Sequence, residues 1–370
     1  MAMSFPEALR ATGGAWTMAL RSDVFSNRFF TTGMGFDQAI KNTVTMLKGT
    51  AWPVLITGLY GWLDRSGSTM KKRIARVVQP VLLFTAVYLA FTVTIFEVAR
   101  PLPCLVFLSL IVLFRAFLKT LSGRKNIRNI LAFSVSFTVF GAMLLFKIAL
   151  NCRFYHYGFY LALPSTLLVC VFLLWFIPRR LLNPGTSSEI FRWVALTVIL
   201  ILAVRCGHVS NTIYRSKSFP VGSGADRIMT YAPEEDPRGP AVIDTLLWIH
   251  QNMRPDETLL ALPEGVIINY LTGRENPSAY TTFMMTEMLA FGEENMLENF
   301  RKNPPDYVIL VHKDTSEFGV NFFGSDPRYG RKIMTWIEQA YTPVHLYGNE
   351  PLKNDYFGVK IVKKKQTRER

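Results

Sequence analysis

Histidine and cysteine are sparse in this chain, five and four among 370 residues. Cys104, Cys152, Cys170 and Cys206 all lie in or beside apolar runs, and no CxxC or Cys/His spacing joins them. Neither a zinc site nor a disulfide framework is indicated, and a lone Cys in such a run is a small apolar filler. GxSxG, Walker and HExxH patterns are missing too, so no standard hydrolase, nucleotide-binding or zinc-protease chemistry is written here. No internal repeat is present. No cofactor is implied, although a divalent metal stays open. The first residues, MAMSFPEALRATGG, lack the apolar stretch of a secretory signal. Acidic residues are also short, 27 against 41 Lys and Arg, which leaves a net charge of +14.

Apolar residues are abundant, at 50% of the chain, and mean hydropathy is +0.20. They concentrate before residue 207. A spanning helix needs about 20 mostly apolar residues, and six runs qualify: Thr45–Leu63, Val77–Val98, Pro101–Leu118, Ile130–Leu150, Tyr157–Ile177 and Trp193–Cys206. The first carries Lys48 and Pro53; the last is short unless it continues through Val209. The expected fold class is a multi-pass α-helical membrane domain followed by a small extracytoplasmic α/β domain. The expected divisions are an extracytoplasmic or interfacial N-terminal segment (1–42), the membrane domain (43–206), a connector (207–240) and the α/β domain (241–365).

The cations set the orientation. Arg65, Lys71, Lys72, Arg73 and Arg76 fall in one loop. Lys119, Arg124, Lys125 and Arg128 fall in the next but one, and Arg179, Arg180 and Arg192 in the next but one after that. The intervening short loops hold Arg100 and Arg153. Basic loops stay cytoplasmic, so the C-terminal domain is expected outside, in a periplasm or lumen. Cations placed between spans also argue against a nucleic-acid surface.

Where the spans meet the outer surface, Glu97, Arg100, Lys147, Arg153, His156, Arg205 and His208 gather. Asn151–Tyr160 reads NCRFYHYGFY, a guanidinium, an imidazole and four aromatic rings in one turn. One reading is an aromatic belt with snorkelling cations. The other is a site for an anionic lipid head group, since Arg offers a planar fork of donors and aromatic faces stack on sugars or pack on lipid tails. Ionisable groups near membrane depth favour function. The candidates are Arg153 and His156, with Tyr155 beside them, then Lys147 and Arg205.

Beyond residue 240 the period changes. Val242–Met253 is an amphipathic helix, Thr258–Leu262 a strand, and Val266–Leu271 a helix stopped by Gly273. Asn295–Lys302 is a helix ended by Pro304 and Pro305, and Tyr307–Val311 a buried strand. Asp326 and Pro327 read as an N-cap and first-turn pair for a helix to Ala340. Val344–Tyr347 and Phe357–Val362 are the last strands, and the tail KKKQTRER a solvated end. Alternating helices and strands give a partly parallel sheet. Glu264 reads as a dipole partner at a helix start.

RFYHYGFYLALP (Arg153–Pro164), LLALPEGVIINYLTGRENPSAY (Leu259–Tyr280) and PPDYVILV (Pro304–Val311), in this order, resemble multi-spanning glycosyltransferases of the GT-C architecture. The nearest in character are bacterial dolichyl-phosphate-mannose and lipid A sugar transferases. The resemblance spans roughly residues 40–365. It implies a polyprenyl-phosphate sugar donor, an acceptor glycan, lipid or protein at the outer membrane face, and Arg153, Tyr155 and His156 on the donor side. It also implies a general base, a carboxylate on a first extracytoplasmic loop. The acidic residues of the N-terminal segment, Glu7, Asp23 and Asp37, do not match that loop, so the chain resembles the C-terminal part of such an enzyme. The alternatives are a non-catalytic membrane scaffold or accessory subunit, and a transporter. A transporter would carry ionisable groups near the bilayer midplane rather than at the span ends.

Overall fold

The computed structural model describes residues 5–6, 21, 26–65, 69–120, 125–180 and 182–366. Glu7, Asp23, Arg124 and the last four residues of the basic tail lie outside these. The chain clusters into two compact units, which divide between Phe30 and Thr31 and between Asn211 and Thr212.

After a short helix α1 (Arg28–Met34), the helical unit contains α2 (Ala39–Asp64), α3 (Thr69–Thr92), α4 (Leu102–Lys119), α5 (Lys125–Phe146), α6 (Gly158–Val171) and α7 (Thr186–Arg215). α6 continues through a π turn, Phe172–Phe176, into Ile177–Arg180. Five stretches are long and apolar enough to cross a membrane: Lys72–Thr92, Ile95–Lys119, Asn126–Phe146, Gly158–Arg180 and Thr186–Arg215. Only 11 to 22% of their apolar windows is buried against protein. Side chains such as Phe84, Phe133 and Val204 therefore stand outward, where lipid tails can cover them and water cannot. The chain is an integral membrane protein.

The first of the six apolar runs behaves differently. α2 has 26 residues, yet it is not among the five. Lys48, Trp52, Pro53, Tyr60 and Asp64 dilute its apolar character. The sixth run gains length instead: α7 has 30 residues and ends at Arg215, well past Val209.

Two apolar cores hold the helical unit. One joins Leu102, Val106 and Leu113 to Leu145, Ile148, Cys152 and Ala162. The other packs Tyr60 with Ile177, Leu182 and Phe191, and the Tyr60 hydroxyl donates to the Ser187 carbonyl at 2.9 Å. α5 and α6 approach closely at small residues. A Cβ on Gly141 would stand 2.9 Å from Ser165 Oγ, the kind of contact that small residues permit between membrane helices.

The other unit carries a four-stranded sheet of order β3-β4-β6-β5. Its strands are β3 (Leu259–Leu262), β4 (Tyr307–Val311), β5 (Tyr341–Gly348) and β6 (Gly358–Lys364), after a two-stranded ribbon of β1 (Phe219–Val221) and β2 (Ile228–Thr230). β3 and β4 are parallel, with Leu259 opposite Tyr307; β6 runs antiparallel to β4 and to β5. Period-two alternation feeds two cores. Tyr307 and Ile309 face Ala241 and Ile249 of α8 (Arg238–Asn252) and Ile268 of α9 (Val266–Thr272). Val308 and Leu310 face the opposite layer, where α10 is Met285–Phe291, α11 Glu293–Lys302 and α12 Arg331–Ala340.

Several local expectations change here. Asp326 does not cap a helix: α12 starts at Arg331, and its N-cap is Gly330 in the left-handed region, φ 72°. A Cβ on Gly330 would stand 2.4 Å from the Phe323 ring. Asp326 is instead buried and accepts from the backbone N–H groups of Asn321 and Arg328 and from the Arg328 guanidinium, all in its own loop. The basic tail is not wholly a solvated end. β6 runs to Lys364, and Lys365 Nζ donates to the Gln339 carbonyl at 2.5 Å. Within residues 207–240 lie the last turns of α7 and the β1–β2 ribbon. Gly273 caps α9 in the left-handed conformation, φ 64°, as its position implies.

Candidate functional site

The turn between α5 and α6 is tightly made. The Arg153 guanidinium lies 5.3 Å from the Tyr155 ring centroid and 5.4 Å from that of Tyr157, and Nη2 donates to Tyr157 Oη at 3.3 Å. Two ring faces hold the cation where a carboxylate would otherwise be needed. Gly158 makes this fold possible: a Cβ there would stand 2.6 Å from the Arg153 carbonyl oxygen. His156 sits beside Tyr155, ring centroids 5.5 Å apart, in the left-handed region at φ 51°. The turn is laced to residues 32–34, since Leu150 N donates to the Met34 carbonyl at 2.9 Å and Asn151 Nδ2 to the Thr32 carbonyl at 3.2 Å.

A second cluster touches the first. Between α3 and α4 a short 3₁₀ turn, Ile95–Glu97, presents Phe96 edge-on to Tyr155 with centroids 5.6 Å apart. Arg100 Nη1 donates to the Leu150 carbonyl at 2.7 Å. Arg100 and Arg153 each keep a buried Nε with no hydrogen-bond partner. A buried donor left unmatched is costly and calls for an acceptor.

Glu97 and Arg100 line a cavity of about 520 Å³ inside the helical unit. α2 contributes Thr45, Lys48, Gly49, Trp52, Pro53, Ile56 and Thr57, spaced as one face of a helix. α3 contributes Leu83, Ala86, Leu89 and Ala90, and α7 contributes Phe191, Val194, Ala195, Val198 and Leu202. The charged lining residues are Lys48, Glu97 and Arg100. α2 and α3 are consecutive packed helices, so the start of α2 lies beside the end of α3. The three charges therefore share one end of an otherwise apolar chamber. Neither Lys48 nor Glu97 has an ion-pair partner among the described residues.

The residues singled out in the sequence separate into three groups. Arg153, Tyr155 and His156 come together in one turn. Arg205 stands at the cavity wall, its Nη1 donating to the carbonyl of the lining residue Ala90 at 2.6 Å. Lys147 is exposed just past the end of α5 and joins neither cluster. Asp37 is exposed in the turn ahead of α2. The cavity adds Lys48 to the site and groups it with Glu97 and Arg100; Lys48 and Glu97 are exposed there and Arg100 is half-buried. The signal for Lys48 was its own oddity, an ammonium within an apolar run.

The α/β unit carries structural pairs. His345 Nε2 and Asp244 Oδ2 are 2.5 Å apart, and Trp248 stacks on His345; together they pin β5 to α8. Glu264 pairs with Lys313 at 3.0 Å. Among the described residues no cluster of His, Cys, Asp and Glu is placed to hold a metal ion. Compared with protein-family models, curated proteins and solved structures, the chain matches none.

Proposed function

We propose that the chain is a membrane glycosyltransferase, or the C-terminal portion of one, which takes its sugar from a polyprenyl-phosphate donor at the outer face of a bacterial inner membrane. The observation that carries this reading is the chamber itself: apolar walls on three helices and Lys48, Glu97 and Arg100 at one end. An isoprenoid tail suits the walls, and a phosphate suits the cationic end. The unmatched Nε atoms of Arg100 and Arg153 are donors awaiting such an anion.

The chemistry follows from the charges. The acceptor hydroxyl oxygen attacks the anomeric carbon, its bond forms as the carbon–oxygen bond to phosphate breaks, and the electron pair leaves on the phosphate. Arg100, Lys48 and Arg153 offset the charge that develops there. Glu97 is the carboxylate available to take the acceptor proton. Tyr155 and His156 offer faces against which a pyranose packs.

The test uses a benzophenone-bearing polyprenyl phosphate on membranes containing the full chain. Photolabel is expected on α2, α3 and α7 peptides, competed by polyprenyl phosphate and lost in the Lys48→Ala/Arg100→Ala variant. Glu97→Gln is expected to keep the label and lose sugar transfer. Equal labelling by the uncharged polyprenol, unaffected by either variant, would remove the lipid-phosphate reading. Specific labelling with no transfer by the unaltered chain would make it a donor-holding accessory subunit instead.

A further inference from the structure

The two helical layers of the α/β unit meet solvent differently. On one side α11 and α12 present Glu294, Glu298, Lys302, Arg331, Lys332 and Glu338. Several of these are exposed and ion-paired, Lys302 with Glu298 at 3.8 Å and Lys332 with Glu294. That is an ordinary water-facing surface. On the other side α8 exposes Leu247 (56%), and α9 exposes Ile267 (40%) and Tyr270 (66%). Ile243 lies one turn before Leu247, and Leu271 one turn after Ile267, so each helix carries a stripe. Leu247, Ile243 and Leu271 wall one shallow depression of about 290 Å³, which also reaches Gly222 and Asp226 of the β1–β2 loop. The stripes are therefore parts of one patch, with Ile228 of β2 exposed next to that loop.

We infer that this face of the α/β unit rests on the lipid bilayer, at the level of the head groups and the first acyl carbons. The length of α7 and of the link after it carries the argument. α7 has 30 residues, about 45 Å of helix at 1.5 Å per residue. A bilayer including its head groups is about 40–45 Å thick. A helix that starts at one head-group layer therefore ends, at Arg215, in the other. Only Ser216, Lys217 and Ser218 separate Arg215 from β1, a reach of at most about 14 Å. The β1–β2 loop, one wall of the patch, is thus tethered at head-group depth.

The chemistry of the patch agrees with that depth. Tyr270 presents an aromatic body with a polar tip, the usual residue of a membrane–water boundary. Its hydroxyl donates to Asp226 at 2.7 Å. Glu264, one turn before Ile267, is held by Lys313. Both carboxylates near the patch are thus engaged, while Arg215 and Arg227 are exposed to meet lipid phosphates. The inference needs only a membrane-spanning α7 and holds whatever reaction the chamber supports.

The test places a nitroxide at Leu247→Cys and Ile267→Cys, and at Glu298→Cys on the opposite layer as control. The full chain, with its four native cysteines replaced by serine, is reconstituted in phosphatidylcholine/phosphatidylglycerol vesicles. Collisions with oxygen relative to a water-soluble nickel chelate are expected to be several-fold more frequent at 247 and 267 than at 298. Equal, nickel-dominated ratios at all three sites would overturn the inference, as would protection from both agents, the mark of a protein partner. Because spin-labelled variants can fail to fold, the unaltered chain is also exposed to a phosphatidylcholine with a photoactivatable diazirine near its head group. Labelled peptides within 241–253 and 266–272 are expected, and labelling confined to residues 39–215 overturns the inference.

Discussion

Single residues decide the geometry of both candidate and structural sites. Arg153 is fixed by two ring faces and a single weak hydrogen bond, so its remaining donors are free for a ligand. Gly158 lets it sit there, because any side chain would run into the Arg153 carbonyl. Asp326 is the counterpart in the α/β unit, a buried carboxylate that organises its own loop. The Arg328 guanidinium and the N–H groups of Arg328 and Asn321 hold its pKa well below the usual carboxylate range, against the opposing effect of burial. Its contribution is therefore complete above the unfolded carboxylate pKa of about 3.9 and is lost as pH falls through that value toward the lower folded one. Asp326→Ala is expected to destabilise the fold by about 1–3 kcal/mol at pH 7, a figure for unmatched backbone donors rather than for the exposed arginine. The gap between parent and variant should narrow below about pH 4. Thermal unfolding across that pH range measures it, and a gap that stays constant would show that the carboxylate charge is not what holds the loop.

At the scale of elements, periodicity was the legible part. Unbroken apolar runs became α3 to α7, and YVILV became β4 with identical bounds, because a strand buried on both faces leaves a continuous apolar signature. Features set by tertiary contact were not legible. Asp326–Pro327 has the local form of a helix start, but the Phe323 ring and left-handed Gly330 move that start to Arg331. α10 escaped notice because Met285–Phe291 is one of several short apolar stretches and takes its helical form from the core around Phe283 and Met296. In the site, the aromatic turn declared itself by composition. Lys48 looked like a flaw in a span because nothing in one dimension reveals that it lines a chamber. Helix contacts in the membrane unit follow the same logic, and Gly141 tests it. A Cβ at Gly141 would stand 2.9 Å from Ser165 Oγ, so Leu there must displace Ser165, whereas a Cβ at Gly58 meets nothing within 4 Å. Gly141→Leu is expected to cost about 1–3 kcal/mol through overpacking, and Gly58→Leu close to nothing. Unfolding of both variants in one detergent compares them, and equal effects would mean that α5 and α6 are not in close contact in the membrane.

For the whole molecule the decisive variable is the number of crossings. Five helices satisfy length and apolarity, and α2 does not, yet its shortfall has a local cause. Lys48, Thr45 and Thr57 face the chamber, so they lower the apolar average of α2 without meeting lipid. Its outward residues include Leu55, Leu59 and Trp62, all exposed. A helix of 26 residues is about 39 Å long, enough for a hydrocarbon core of about 30 Å. If the chamber is a lipid site open to the outer leaflet, α2 must cross, with its Lys48 end outside. The basic loops then keep residues 65 and 180 in the cytoplasm, and the segment ahead of α2 lies on the same outer side as the α/β unit. Tags placed before Ala39 and after Gln366 are accordingly expected to be digested together by protease added to intact spheroplasts, while a tag at residue 67 survives. A protected N-terminal tag beside a digested C-terminal one would mean that α2 stays on the cytoplasmic side. Lys48 would then sit at the opposite membrane face from the Arg153 turn, and a shared phosphate site would be geometrically impossible.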